Sequence, residues 1–202
     1  MSTGRWAGLA RGVMKHVNHW RGRIVFIHIN KTGGTSIERA LQLRSERISA
    51  CEKRARMGER RWQRAFKFAF VRNPWDKVVS HYHYRAHTGR IALDAGPPPF
   101  NDWVRLSYRD HDPRYWDEPL MFASQHEWIA DADGRIAIDF IGRFERIDED
   151  FAEVCRRAGV RAALPRVKTT SHADYRDFYD DESRAIVGRV FARDLELFDY
   201  RF

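Results

Sequence analysis

Apolar residues occur along the chain in short runs that alternate with helical patterns. Three runs predict strands, at 23–29 (RIVFIHI), 66–71 (FKFAFV) and 136–141 (IAIDFI). The first two are almost unbroken, as expected of central strands that are covered on both faces. Amphipathic or capped segments between them predict helices over 35–43, 44–64, 74–86 and 148–158, with a last one from Asp180. This alternation predicts one α/β domain, a three-layer α/β/α arrangement around a central parallel sheet.

Residues 1–21 stand apart from this domain, which we take as 22–202. Apolar side chains such as Trp6, Val13 and Trp20 recur there at helical spacing, and basic side chains fill the gaps. The pattern predicts a basic amphipathic helix. Such a helix either docks its apolar stripe on the domain or lies on an anionic lipid surface as a peripheral membrane contact.

The charge balance restricts the class of partner. Lys and Arg number 36 against 28 Asp and Glu, a net charge of +8, which favours anionic partners. Basic residues alternate with acidic ones and no nucleic-acid motif is present, so we do not expect nucleic acid. Two cysteines imply no disulfide framework, and no apolar run reaches the roughly 18–20 residues of a membrane span. We therefore expect a soluble, cytoplasmic protein.

The loop after the first strand has the chemistry of an anion site. Two glycines let backbone N–H groups approach an anion, and the helix behind them points its positive dipole end at the same place. Thr35 and Glu38 have the spacing of a capping box that opens this helix. A lysine and three hydroxyls add charge and donors. The candidate ligands are Lys31, Thr32, Gly33, Gly34, Thr35 and Ser36.

This loop differs from that of nucleoside triphosphatases. Their pattern, GxxxxGK[ST], places the lysine after the glycines, whereas Lys31 precedes them here. No convincing apolar strand ends in a magnesium-binding aspartate either. An ATPase or kinase is therefore disfavoured, and we expect no metal, because Cys, His and Asp show no ligand spacing.

A second cationic position ends the second strand. Arg72 precedes Pro74, a residue that suits the first turn of a helix, and Ser80 lies about two turns into that helix. A guanidinium binds phosphate through two parallel hydrogen bonds, and a serine adds a hydroxyl donor. The alternative is that Arg72 pairs with a carboxylate of the protein. Two anchors on neighbouring strands suit a ligand with two phosphate groups.

Both motifs resemble those of the carbohydrate sulfotransferases, the group that includes heparan sulfate 2-O-sulfotransferase and many bacterial relatives. FIHINKTGGTSI is similar to the family's 5′-phosphosulfate loop, and FAFVRNPWDKVVSHYHY to its 3′-phosphate motif. Likeness continues in SQHEWI, DFIGRFERIDEDF and SHADYRDFYDDES, so that it spans 23–202. The resemblance implies a P-loop-like fold. It also implies 3′-phosphoadenylyl sulfate (PAPS) as co-substrate and 3′-phosphoadenosine 5′-phosphate (PAP) as product.

The resemblance further implies in-line transfer of a sulfuryl group to an acceptor hydroxyl, on a carbohydrate or glycolipid. Lys31 would stabilise charge on the leaving phosphate, and Arg72 and Ser80 would hold the 3′-phosphate. The loop at 171–175 corresponds to one that closes over the nucleotide in relatives, which makes three residues weaker ligand candidates: Lys168, Ser171 and Arg176.

The general base is where the sequence departs from the family. Many relatives carry a histidine before the second strand, but residues 48–66 contain none. His83 shares a helical face with Ser80 by i, i+3 spacing and is our first candidate. The others are His81, His126 and, more distantly, Glu127. His28, beside the loop, is expected to be a packed core histidine that positions backbone.

Two further interpretations remain open. Loss of the base would leave a non-catalytic module that binds nucleotides or polyanions. The stretch Gly89–Asp117, rich in Pro, Trp and Tyr, is expected to help form the acceptor cleft, because aromatic faces stack on sugar rings. Core packing explains these aromatic residues equally well.

Overall fold

Three parallel strands form the centre of the protein. The computed structural model describes residues 23–44, 46–91, 96–165 and 174–202. Within them the strand order is β1–β2–β3, with β1 at Ile24–Ile27, β2 at Phe66–Val71 and β3 at Phe140–Arg143. Both pairings are parallel. The predicted α/β domain with a parallel sheet is confirmed, and the helix predicted for 1–21 lies outside the described residues.

Helices pack around this sheet and beyond its carboxyl edge. None in the described ranges is long and apolar enough to span a bilayer. A π-helical turn, Arg105–Arg109, continues one of them, and short 3-10 turns occupy Phe144–Arg146 and Tyr175–Phe178. The α-helices of the described part are α1 (Gly34–Leu41), α2 (Ala50–Met57), α3 (Glu59–Arg64), α4 (Pro74–His87), α5 (Phe100–Val104), α6 (Pro119–Phe122), α7 (Gln125–Ile129), α8 (Ile147–Ala158), α9 (Asp181–Val190) and α10 (Ala192–Phe198).

Successive strand residues bury opposite faces of the sheet, which explains their unbroken apolar runs. Val25 and Ile27 of β1 pack with Trp128 of α7 and Phe198 of α10. Their neighbour Ile24 faces the other side, in a cluster formed with residues of β2, α1 and α8: Phe68, Phe70, Ile37, Leu41, Phe151 and Val154. The sheet is thus the middle layer of three.

A third apolar cluster lies among α4, α5 and α9. Trp103 and Val104 are fully buried in it, together with Phe191. Tyr108 and Tyr115, from the stretch predicted to form an acceptor cleft, are also buried there. Most aromatic residues of Gly89–Asp117 therefore serve core packing, the alternative that the sequence left open.

Several boundaries differ from the sequence prediction for local reasons. β3 begins at Phe140 rather than at Ile136, because Ile136 forms an antiparallel bridge with Ala130 instead. The helix predicted over 44–64 is two helices, α2 and α3, divided at Gly58. The capping box predicted for α1 is absent: Gly33 is the N-cap, and the Glu38 side chain turns into the interior.

Candidate active site

The carboxyl ends of all three strands open into one cavity of about 1460 Å³. Ordinary ligand pockets measure about 300–1,000 Å³, so this cavity has room for a nucleotide and a second molecule. Open α/β sheets bind their ligands at this edge. The lining comes from the loop after β1, the start of α1, one face of α4, the start of α8, and the segments 118–121 and 174–176.

The loop between β1 and α1 has an unusual backbone. Gly33 has a φ of 82°, and Lys31 has a φ of 66°, a left-handed conformation that costs energy for a residue with a side chain. Thr32 is fully buried, and its hydroxyl donates to the Ile29 carbonyl at 2.9 Å. Thr32, predicted as a ligand, therefore holds the loop together and does not line the cavity, whereas Gly33 to Ser36 do.

The two glycines are required for different reasons. Gly33 needs its left-handed φ, and a Cβ there would also lie 2.6 Å from Ile147 Cδ1. Gly34 has an ordinary φ, but a Cβ would lie 2.3 Å from Nε2 of the buried His28 ring. Substitution at either position therefore has to move a neighbouring side chain or the loop.

The first turn of α1 points into the cavity. Gly33 caps it without a side-chain hydrogen bond, and the turn contains no acidic residue. The first N–H groups of a helix lack intrahelical acceptors, and the helix dipole adds positive potential at the same end. Thr35 and Ser36 line the cavity at this point. The arrangement suits an anionic group.

Lys31 provides a cation beside these N–H groups. Its Nζ lies 4.4 Å from the centroid of the Tyr84 ring on α4. Burial, and then the neighbouring charges of Arg72 and Arg47, lower the pKa of Lys31 to about 8. At neutral pH the side chain is thus a cation that is only partly hydrated, which strengthens its attraction to an anion.

Arg72 is close to Lys31 and is bound to a carboxylate. Its Nε and Nη2 donate to the two carboxylate oxygens of Asp76, both at 2.7 Å, and its Nη1 donates to the Lys31 carbonyl at 3.1 Å. The guanidinium also stacks on Phe144, with Cζ 4.1 Å from the ring centroid. The sequence left open whether Arg72 pairs with a carboxylate of the protein, and it does pair with Asp76. Both residues nevertheless line the cavity. The bond to Lys31 joins the two cationic positions.

Gln125, which no sequence pattern singles out, fixes the Arg72 backbone. The Gln125 side chain accepts from Arg72 N at 2.9 Å and donates to Arg72 O at 2.8 Å, so it bonds both backbone polar groups of the residue that follows β2. Asp194 of α10 accepts from Gln125 N at 2.7 Å. Gln125 and Asp194 are fully buried. An isolated glutamine gives no local sequence signal for such a distant partner.

One face of α4 completes the wall of the cavity. Asp76, Ser80 and Tyr84 follow i, i+4 spacing and all line it, joined by His81. Ser80 therefore lines the same cavity as Arg72.

The base candidates predicted from the sequence lie at different distances from the cavity. His83 packs on Tyr82 and Phe178, with ring centroids 5.4 and 5.3 Å away, and is not among the cavity residues. Helical spacing groups His83 with Ser80, but the cavity lies on the other side of Ser80, toward His81. His126 is also remote: its ring bonds to the Gly134 carbonyl at 2.9 Å, and Glu127 caps its own helix through Ser124.

The weaker ligand candidates have mixed placements. Arg176 lines the cavity and pairs with Asp174 at 3.0 Å. Lys168 and Ser171 lie outside the described residues. Two further arginines that the sequence did not single out, Arg47 and Arg90, also line the cavity. Both belong to charge-rich or loop segments, where no pattern distinguishes one arginine from the next.

Most of the charge in the cavity is balanced internally. Arg90 pairs with Glu118 at 3.1 Å, as Arg72 does with Asp76. In the part of the chain that the structure describes, no group of three His, Cys, Asp or Glu side chains is placed to hold a metal ion. The cavity thus contains a helix N-terminus, a lysine of lowered pKa, four arginines and two histidines.

Comparison with known proteins gives this cavity a family context. The sequence model of the sulfotransferase family matches residues 20–201. An uncharacterised protein of Archaeoglobus fulgidus is 30% identical over 125 residues, which cover 61% of this chain and 92% of that protein. A sulfotransferase from Alicyclobacillus acidocaldarius aligns in structure with a TM-score of 0.46 at 18% identity, over 89% of this chain and 97% of that one. Because the family model covers nearly the whole described domain, this chain belongs to the sulfotransferase family.

Proposed function

We propose that the protein transfers a sulfuryl group from PAPS to a hydroxyl of a carbohydrate or glycolipid acceptor. The observation that supports this most is the pair of cationic positions at the ends of β1 and β2. Lys31 and Arg72 line the same cavity and are joined by the 3.1 Å bond from Arg72 Nη1 to the Lys31 carbonyl. PAPS carries negative charge at two positions, the 5′-phosphosulfate and the 3′-phosphate.

The shape of the loop fits the 5′ end of such a donor. Gly33 and Gly34 lack the Cβ atoms that would clash with Ile147 and His28, so the loop can hold the backbone shape that presents its N–H groups to a phosphosulfate. The N–H groups at the start of α1 would bind its oxygens. Lys31 would stabilise the charge that develops on the phosphate oxygen as it leaves, an effect that is strong in a partly water-excluded site.

Arg72 and Ser80 would hold the 3′-phosphate. Asp76 already uses two N–H groups of Arg72, so a phosphate has to share or displace that carboxylate. Ser80, one helical turn from Asp76 on the same face, adds a hydroxyl donor at this position. Arg72 thus has two tasks in this proposal, binding phosphate and holding the Lys31 carbonyl.

The acceptor would enter between α4 and the segment 118–121. This part of the lining includes the apolar side chains of Leu120 and Met121 and the ion pair of Arg90 and Glu118. A mixed surface of this kind suits a sugar, which presents hydroxyls at its rim and C–H groups on its faces. The assignment of the acceptor rests on this chemistry and on the family resemblance.

The donor assignment is tested by calorimetric titration with PAP. We expect saturable binding in the micromolar range, and adenosine 5′-monophosphate, which lacks the 3′-phosphate, should bind about tenfold or more weakly. In Arg72→Ala the preference for PAP over the monophosphate should largely disappear, because the group that recognises the 3′-phosphate is gone. Arg135→Ala, at an arginine that is exposed and outside the cavity, is the matched control.

Absence of saturable PAP binding by the wild-type protein would exclude this donor. An unchanged PAP preference in Arg72→Ala would instead contradict the assignment of Arg72 to the 3′-phosphate and leave it as a partner of Asp76 alone.

A second candidate, a nucleotide-binding module without catalysis, is favoured by the position of His83 outside the cavity. The two functions separate in an assay with ³⁵S-labelled PAPS and a panel of glycans and glycolipids. Transfer to any acceptor supports the enzyme. PAP binding without transfer, and without slow release of sulfate to water, supports the binding module.

Donor affinity should also decrease at alkaline pH. The pKa of Lys31 is lowered to about 8, so the ammonium is present below that pH and lost above it. PAP binding should therefore weaken by about tenfold between about pH 7 and about pH 9, while the phosphates stay ionised throughout. In Lys31→Arg, whose guanidinium keeps its charge, the same titration should be nearly flat. Equal pH dependence in both proteins would contradict the assignment.

A further inference from the structure

His28 and Glu38 form a buried pair at the phosphate loop. His28 follows β1 and is only 3% exposed, yet it lines the cavity. Its Nδ1 lies 2.7 Å from Glu38 Oε1, and both side chains are buried. Glu38 is one helical turn beyond Gly34 on α1, so the ring lies along the first turn of the helix.

The carboxylate determines which ring nitrogen carries the proton. An ionised Glu38 only accepts hydrogen bonds, so Nδ1 must donate, and the neutral ring then has its lone pair on Nε2. Burial lowers the pKa of His28, and the charges of Arg47 and Lys31 lower it further, against the opposing effect of Glu38. The ring is thus a neutral base at physiological pH.

The face of the His28 ring packs against the phosphate loop. A Cβ built on Gly34 would lie 2.3 Å from both Nε2 and Cδ2 and 2.8 Å from Cγ, so the Gly34 backbone covers the face of the ring and not its Nε2 edge. Lys31, the proposed partner of the leaving phosphate, is three residues further along the chain and within electrostatic range of the ring. His28 lines the same cavity as Lys31, and Glu38 occupies Nδ1, so Nε2 is the ring nitrogen left to accept a proton there.

His81, the other histidine in the cavity, is less suited to accept a proton. Its Nδ1 lies 3.3 Å from the Tyr108 hydroxyl, which can donate or accept, so neither tautomer is imposed. Burial, followed by the charges of Lys77 and Arg85, holds the pKa of His81 well below its usual value. Among the described residues its ring contacts Tyr108, Trp103 and Phe122, and no carboxylate there bonds to it to stabilise an imidazolium.

We propose that His28, oriented by Glu38, accepts the proton of the attacking acceptor hydroxyl. This inference rests on the proposed function. The acceptor oxygen forms a bond to sulfur as the bond from sulfur to the 5′-phosphate oxygen breaks, and the electron pair stays on the phosphate. The hydroxyl proton moves to Nε2 of His28, and Glu38 stabilises the resulting imidazolium. His28 thus takes the role that the sequence assigned to His83.

The proposal is tested by separating donor binding from turnover in His28→Gln and His28→Asn. Both variants keep an amide near the ring position and remove the base. Turnover is measured as release of ³⁵S-sulfate from labelled PAPS to water, and as transfer to the glycan and glycolipid panel. We expect PAP affinity within about threefold of the wild type and a fall in turnover of about 10²- to 10⁴-fold. His87→Asn, on the exposed last turn of α4, should change neither quantity.

Glu38→Gln tests the orienting role separately. Its amide oxygen still accepts from Nδ1, so packing is kept while the charge that raises the pKa of His28 is lost. PAP affinity should be unchanged. Turnover should fall by about tenfold, and the decline of the rate toward acid pH should shift to lower pH, because His28 would be harder to protonate. Arg47 and Lys31, which also face the ring, remain in both proteins.

Each other outcome overturns the proposal. An equal fall of PAP affinity and turnover in the His28 variants would make His28 a packing residue of the loop. Turnover within a few-fold of the wild type would leave the proton to another group. Wild-type binding of PAP with neither hydrolysis nor transfer would mean that there is no reaction in which His28 acts as a base. Failure of the wild type to bind PAP would instead overturn the proposed function itself, and this inference with it.

Discussion

Lys31→Ala is expected to lower sulfuryl transfer by about 10²- to 10³-fold, with a smaller loss of PAP affinity of about tenfold. The ammonium lies over the Tyr84 ring at the start of the phosphate loop, where burial and neighbouring cations have removed part of its hydration. A cation in such a position interacts most strongly with the charge that appears only as the phosphate leaves. The rate should therefore suffer more than the binding of the product nucleotide.

The measurement compares release of ³⁵S-sulfate from PAPS with calorimetric PAP affinity in the same preparations. Lys53→Ala, at a lysine that pairs with Glu46 away from the cavity, is the control and should behave like the wild type. A rate and an affinity that fall by the same factor would show that Lys31 only binds the nucleotide. An unchanged rate would remove it from the reaction.

Gly34→Ala is expected to weaken PAP binding by about 100-fold. The new methyl group would lie 2.3 Å from the His28 ring, which cannot retreat easily because Glu38 holds its Nδ1. Relief of the clash must displace the ring or the first turn of α1, and overpacking of this kind costs about 1–3 kcal/mol. The N–H groups that would receive the phosphosulfate then lose their alignment.

Calorimetry with PAP and thermal unfolding measure the two effects together. The matched control is Gly188→Ala in α9, where a Cβ would make an ordinary 3.5 Å contact with Trp75. That change should leave PAP affinity unchanged and raise stability slightly, since alanine favours helices over glycine by about 0.5–1 kcal/mol. Wild-type PAP affinity in Gly34→Ala would show that the loop adapts freely.

The sheet and the loop were predictable because their signals are local. Alternate residues of β1 and β2 bury opposite faces, which produces the unbroken apolar runs read from the sequence. A strand followed by Lys31, two glycines and the N-terminus of a helix predicts an anion site at the end of the strand. This pattern lies within one short segment and needs no information about the rest of the chain. Pro74 likewise begins α4 where its fixed φ favours a first turn.

The orientation of side chains around this frame was not predictable, because it depends on tertiary neighbours. Spacing along α4 groups His83 with Ser80 but does not say which flank faces the cavity, and the structure selects the side of His81. Thr32 and Glu38 were read as local ligand and capping groups. Their polar atoms instead satisfy partners in the interior, Ile29 and His28, since buried polar groups must find acceptors or donors.

The position of Arg72 depends on contacts between distant segments. Its backbone N–H and carbonyl are bonded by Gln125, and Gln125 is in turn held by Asp194 of α10, so three segments meet at the arginine. Bringing such widely separated residues together costs loop-closure entropy, whereas the turn of the glycine loop is local to one segment. The second cationic position therefore depends on the last helices of the chain in a way that the glycine loop does not.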